Sequence, residues 1–401
     1  MTDHSVVDPE SVGVDPHRLD VLLRRIRLEV EHGPLPSAQV AVARGGRLVA
    51  FETWGDAGPD TRYVLQSVGR SIVAGVVWKL LGEGLLHLDE QVAAIIPEFA
   101  PNGKETVTVE QVLTHTAGFP FAPLGYPKML DREQRLAAFG RWRLDTPPGT
   151  RFQFHLTAAA WLIAEIVERR TGLPFADYLH ERIARPLGLT SIELGVPVDQ
   201  QPGTVAPMTA TDRTDDTQEP DPWGPWYLAD PRVLAAGEPS HALVATAADV
   251  ALYFQALEHS GLWKPEAVAE GTRIRLTQLP YGEQIYGGGG NRRTSMGLFV
   301  TVAGPDAGSQ LPSTGSPLLF GSAGAAYQLG FMDPESGLSF ACLSNGYPLA
   351  GYDHSRRGTA LLTNIANLAG ASGVQRLISC CALLYMMSSW TDSSSSARSL
   401  R

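Results

Sequence analysis

At 401 residues, 44% hydrophobic and 18% charged, the chain has an ordinary globular profile and enough length for one large domain or two lobes sharing an interface. Its formal net charge of −10 sets nucleic acid aside as a partner, because phosphate contacts want a basic face. No stretch reaches the roughly 18 apolar residues of a membrane span, and the opening MTDHSVVDPESVGVDPHRLD lacks the apolar run of a secretory signal. Cys342, Cys380 and Cys381 have no zinc spacing, and an adjacent pair rarely forms a structural disulfide. The expectation is a cytoplasmic protein with a small-molecule substrate, no membrane, no metal and no cofactor.

Residues 16–31 place Leu19, Leu22, Leu23 and Ile26 at helical spacing. Alternation follows in SAQVAVARGGRLVAFETWG, with Gly45-Gly46 between its halves, the pattern of a β-hairpin. From about Ser67 to Leu81 the spacing predicts a helix that is apolar nearly all round and therefore buried. Thr108, with Gln111 three residues later, is a capping-box pattern opening a short helix. Residues 157–171 read as a helix ended by Gly172, and FADYLHERIARPLGL as another stopped by Pro186. Residues 201–240, rich in Pro, Asp and Thr, read as a long irregular excursion.

ATAADVALYFQALEHSG reads as a helix capped by Thr246, and AAYQLGFMDPESGLSFACLSNGY as two strands around the turn Pro334 to Gly337. SRRGTALLTNIANLAG closes the domain as a helix, and residues 373–401 read as a disordered tail. The order predicts an α+β fold spanning residues 10–370. An antiparallel sheet flanked by helices is built from residues 10–66 and 290–370, with an inserted, mainly helical lobe over 67–289.

Five segments, in order, resemble one superfamily. YVLQSVGRSIVAGVVWKLLGEGLLHLDEQVAAIIPEF is similar to the segment that carries Ser-x-x-Lys at the start of a buried helix in the serine β-lactamase and penicillin-binding-protein-like hydrolases. VTVEQVLTHTAGF resembles that family's Leu-Thr-His-Thr-Ser-Gly stretch, and PGTRFQFHLTAAAWLIAEIVERRTG its Pro-Gly…Tyr-x-Asn segment. AAGEPSHALVATAADVALYFQAL and FGSAGAAYQLGFMDPESGLSFACLSNGY resemble its last helix and its final catalytic strand pair. Class C β-lactamases, D-aminopeptidase-like hydrolases and family VIII carboxylesterases are the similar members. The resemblance implies a β-lactamase/transpeptidase-like fold. It also implies acyl-enzyme chemistry on a serine, with lysine and tyrosine sharing the proton work and two backbone N–H groups holding the oxyanion.

The resemblance puts the nucleophile at Ser67, for which a plain helix N-cap is the other reading. The lysine position is Arg70, whose guanidinium stays protonated and so cannot be a general base; it can hold negative charge. The tyrosine position is Phe154, which has no proton to trade. His155 beside it is a candidate replacement base, although in an extended chain it faces away from a site that Phe154 faces. The last-strand position is Ser322, with an oxyanion N–H near Ala325. Tyr327 and Gln328 follow, and either could face pocket or core; Phe154, His155, Ser322, Ala325, Tyr327 and His241 are the candidate substrate contacts. His115, in Thr-His-Thr, reads as a structural group. His241 reads as a loop histidine, solvated or reaching the cleft.

Two classes of function fit these residues, an ester, amide or thioester hydrolase or transacylase working through Ser67, and a pocket repurposed for cyclisation, rearrangement or binding without an acyl-enzyme.

Overall fold

The computed structural model describes residues 4–125, 128–212, 229–276, 295–305, 311–325 and 327–349. The helix expected at 355–370 and the tail expected at 373–401 lie outside these residues, as do Ala326, Cys380 and Cys381.

Helix α1 (Pro16–Glu31) opens on a proline behind Asp15, whose carboxylate accepts from the N–H groups of His17 and Arg18. Gly45 and Gly46 both adopt left-handed backbone, φ 59° and 77°, which a tight hairpin turn requires. They fold β1 (Ser37–Arg44) onto β2 (Arg47–Gly55). Strand β3 (Tyr63–Val64) then leads through a 3-10 turn, Gln66–Val68, into α2 (Gly69–Glu83). As its composition predicts, α2 is buried on all sides through most of its length.

The capping box at α3 (Val109–Leu113) is present in both directions: Thr108 Oγ1 accepts from Gln111 N at 3.3 Å, and Gln111 Oε1 accepts from Thr108 N at 3.0 Å. Helix α4 (Ala158–Thr171) ends on Gly172, φ 75°. The next helix does not stop at Pro186. It runs Phe175–Leu179, widens into a π turn at His180–Ala184, continues through Arg185–Leu187 and ends on Gly188, φ 74°. The wider turn shifts the hydrogen-bond register just ahead of the proline, so its missing N–H falls at the start of a new turn, where it is tolerated.

Strand β4 (Glu193–Leu194) and β5 (Leu243–Ala245) join β3 in a small antiparallel sheet ordered β3-β5-β4. Helix α5 (Ala247–His259) follows, with Thr246 Oγ1 accepting from Asp249 N at 3.3 Å as the cap. The chain returns to the main sheet with β6 (Thr301–Val302), β7 (Phe320–Ala323), β8 (Gln328–Asp333) and β9 (Leu338–Ser344). That six-stranded sheet is antiparallel throughout, in the order β2-β1-β9-β8-β7-β6. The first hairpin and the last strands therefore share one sheet, and the helices after α1 lie between them in sequence.

Alternation divides the sheet into two faces. Val40, Val42, Phe331, Phe340 and Cys342 pack with Leu22 and Ile26 of α1. Ala41, Ala43, Met332, Ala341 and Leu343 face the larger core around α2 and α5. On that second face β8 carries Gly330, where an added Cβ would lie 2.8 Å from Val68 Cγ1 and 3.2 Å from the Phe254 ring. Both neighbours are fully buried and have no room to move. Gly330→Ala is expected to cost about 1–3 kcal/mol by overpacking. A urea unfolding midpoint equal to that of the wild type would contradict this packing of the 66–68 turn on the sheet.

Candidate active site

Ser67 sits between β3 and α2. The chain makes this corner through Gln66, a buried, non-glycine residue in left-handed conformation, φ 49°. Such a conformation persists only where the surroundings enforce it. Here the enforcing contacts are visible: Leu65 N donates to Leu243 O at 2.8 Å, and Leu243 presses on Gly69, where a Cβ would lie 2.9 Å from its Cδ1. Ser67 is half-buried, and among the described residues nothing hydrogen-bonds its hydroxyl. It stands at the N-terminal end of α2, where the helix dipole favours developing negative charge.

The 66–68 turn packs against β7 and β8. Ser322 pairs with Gly330 across these strands, so its side chain shares the face on which Val68 lies. Ala325, half-buried, lies just past the end of β7. Among the described residues neither the Ser67 N–H nor the Ala325 N–H is taken by a hydrogen-bond acceptor. Tyr327 does not face this side. It alternates with Gln328 and packs with Leu329 and Phe331 in the α1 core, its hydroxyl 3.4 Å from Thr211 Oγ1. Its expected substrate contact is corrected by that register. Gln328 faces the Ser67 side and donates from Nε2 to Ser344 O at 2.6 Å.

Arg70, one turn into the helix, is 3% exposed. Its Nη2 donates to Leu156 O, and its guanidinium lies 4.4 Å from the Phe154 ring centre and 5.3 Å from that of Phe299. The residue at the family's tyrosine position thus forms a face for the residue at its lysine position. With this packing lost, Arg70→Ala is expected to destabilise the protein by about 2 kcal/mol. A calorimetric melt identical to the wild type would show the side chain to be dispensable for folding.

His155 is fully buried. Its Nδ1 lies 2.6 Å from Gln153 O, to which it donates, and its Nε2 accepts from Phe119 N at 3.2 Å. Burial lowers its pKa to about 4; the Gln153 carbonyl opposes the shift and the nearby Arg70 charge adds to it. Both ring nitrogens are committed to the backbone, so the histidine considered as a base or a substrate contact is a tie within the fold. His115, also buried, has left-handed backbone, φ 56°, and accepts from His155 N at Nδ1, 3.2 Å away. Burial, then Arg70, then His155 hold its pKa well below the ordinary value.

His241 is not solvated. It is 8% exposed, and its Nδ1 lies 2.5 Å from Oε2 of Glu238, itself 1% exposed. Ser240 Oγ lies 2.6 Å from the same carboxylate oxygen and 3.2 Å from Leu156 O, the carbonyl that also takes Arg70. Gln66, Phe299, Glu238 and Ser240 were not singled out by the sequence reading. For Glu238 a signal was present: the spacing Glu-Pro-Ser-His, where the family resemblance calls for glycines.

These elements can be compared with known proteins. A family model described as beta-lactamase matches residues 23–365. The chain belongs to the beta-lactamase family. Within it, the chain is 31% identical over 212 residues to a "Putative D-alanyl-D-alanine carboxypeptidase" of Escherichia coli (strain K12), covering 45% of this chain and 48% of that protein. The match thus spans about half the length of that relative. It is 26% identical over 328 residues to "Esterase/beta-lactamase LipL" of Mycobacterium tuberculosis, covering 74% of this chain and 72% of that protein. Among solved structures, a penicillin-binding protein homologue from Caulobacter crescentus superposes with a TM-score of 0.71 at 26% identity, covering 90% of this chain and 99% of that one. The beta-lactamase family fold accounts for the antiparallel sheet and the interposed helices.

Proposed function

We propose that the protein is a serine acyl hydrolase or acyl transferase acting through Ser67 on an ester, amide or thioester of a small molecule. The observation that carries this reading is the presentation of Ser67: an unengaged hydroxyl at a strained corner opening a buried helix, with two unengaged backbone N–H groups at Ser67 and Ala325. In this reading Oγ attacks the carbonyl carbon, and the two N–H groups receive the oxyanion. The alcohol, amine or thiol then leaves with a proton. Water or a second acceptor releases the acyl group. Esterase and carboxypeptidase names among the relatives support the class, and the substrate is not specified by them.

A second reading, a cleft that promotes cyclisation or rearrangement or simply binds its ligand, is favoured by Arg70 and Phe154 standing stacked at the family's lysine and tyrosine positions. Turnover of p-nitrophenyl butyrate by wild type and by Ser67→Ala separates the two. Loss in the variant supports the acyl-enzyme. A natural substrate that is turned over equally well by Ser67→Ala supports the second reading.

A further inference from the structure

A serine nucleophile needs a proton acceptor, and the family positions for that work hold Arg70 and Phe154, neither of which can accept a proton. The structure offers another group. Glu238 and His241 form a buried pair, Oε2 to Nδ1 at 2.5 Å. Among the described residues, His241 is the one basic side chain within ion-pair distance of Glu238, and Glu238 Oε1 is buried with no hydrogen-bond partner. A carboxylate buried in this way is strongly unfavourable without hydrogen bonds, and Ser240 N, Ser240 Oγ and the N–H of a neutral His241 at Nδ1 supply them at Oε2. A carboxylate on Nδ1 also fixes the tautomer in which Nε2 is the acceptor.

The position of the pair follows from the small sheet. Strands β3 and β5 pair antiparallel, Tyr63 with Ala245 and Val64 with Val244, and Leu65 N continues the ladder to Leu243 O at 2.8 Å. Two residues beyond that bond, one chain reaches Ser67 and the other reaches His241. Ser240, whose Oγ is 3.3 Å from His241 Nδ1, also reaches the Leu156 carbonyl that binds Arg70 on the first turn of α2.

We propose that His241 is the proton acceptor for Ser67 and that Glu238 is its positioning residue; this rests on the reading of Ser67 as the nucleophile. As the Oγ–carbon bond forms, the hydroxyl proton passes to His241 Nε2, directly or through one water. The imidazolium then delivers that proton to the leaving alcohol, amine or thiol as its bond to the acyl carbon breaks. Deacylation repeats the transfer with water as the nucleophile, and its proton returns to Ser67.

The experiment uses the full chain. A fluorophosphonate probe and p-nitrophenyl butyrate are applied to wild type, His241→Gln, His241→Ala with and without added imidazole, Glu238→Gln and Glu238→Asp. The expected result is a wild type labelled at Ser67 and a His241→Gln variant with kcat lower by about 10²- to 10⁴-fold, the usual contribution of a positioned base. Imidazole should restore part of the His241→Ala activity, which it would not do for a purely structural histidine. Glu238→Gln should lower kcat with little change in KM, and Glu238→Asp should recover part of the loss. If His241→Gln fails to fold, the imidazole response of His241→Ala decides. A labelled wild type whose His241→Gln variant keeps kcat within about threefold, or a folded His241→Ala variant that is inactive and indifferent to imidazole, overturns the proposal. A wild type unlabelled at Ser67 overturns the nucleophile reading instead, so the two failures are distinguishable.

Discussion

Ser67→Ala is expected to lower kcat for p-nitrophenyl butyrate by about 10³-fold or more and to leave the fold intact. The size follows from what is removed. Without Oγ the acyl group has no covalent acceptor, and the reaction falls back on water attacking a bound ester beside the Ser67 and Ala325 N–H groups. The fold should tolerate the change because, among the described residues, the hydroxyl has no hydrogen bond to lose. Burst kinetics with wild type and their absence in the variant check it. A variant with unaltered kcat would remove Ser67 from the chemistry.

The second large effect is on stability in acid. His155 has a folded pKa of about 4 against an ordinary 6.5, and His115 is displaced in the same direction. Between those values the unfolded chain binds more protons than the folded one, so acid favours unfolding. The histidines' contribution is therefore complete above about pH 6.5 and is lost as pH falls toward the folded values. For His155 the span corresponds to roughly 3 kcal/mol, with His115 adding to it. Urea unfolding midpoints should fall steadily from pH 7 to pH 4.5. His155→Gln, whose amide can both donate to Gln153 O and accept from Phe119 N, should flatten the decline. Equal midpoints at pH 7 and pH 4.5 in the wild type would contradict the neutral, backbone-tied state assigned to these rings.

Where local rules govern, the sequence is legible. The Gly45-Gly46 turn, the Thr108 capping box and the Thr246 cap depend on residues within a few positions of one another, and each forms as its pattern predicts. The family resemblance led to Ser67, Arg70, Phe154 and Ser322, which lie on or beside α2 and the sheet face that packs on the 66–68 turn. What was not legible depends on distant pairing. Tyr327 and Gln328 are neighbours of equal promise, and the β7–β8 register decides which one turns toward Ser67. The left-handed Gln66 exists because Leu243, remote in sequence, holds the corner. His241 looks like a loop residue until the fold buries it against Glu238. Pro186 misled because a π turn just ahead of it changes the hydrogen-bond register that a proline ordinarily interrupts.

The most direct test is the mass of the protein after incubation with a fluorophosphonate. The intact chain should gain one phosphonyl group, peptide mapping should place it on Ser67, and Ser67→Ala should gain nothing. A folded wild type that stays unmodified under conditions that label a known serine hydrolase, or that is modified equally in Ser67→Ala, would contradict the assignment of Ser67 as the nucleophile.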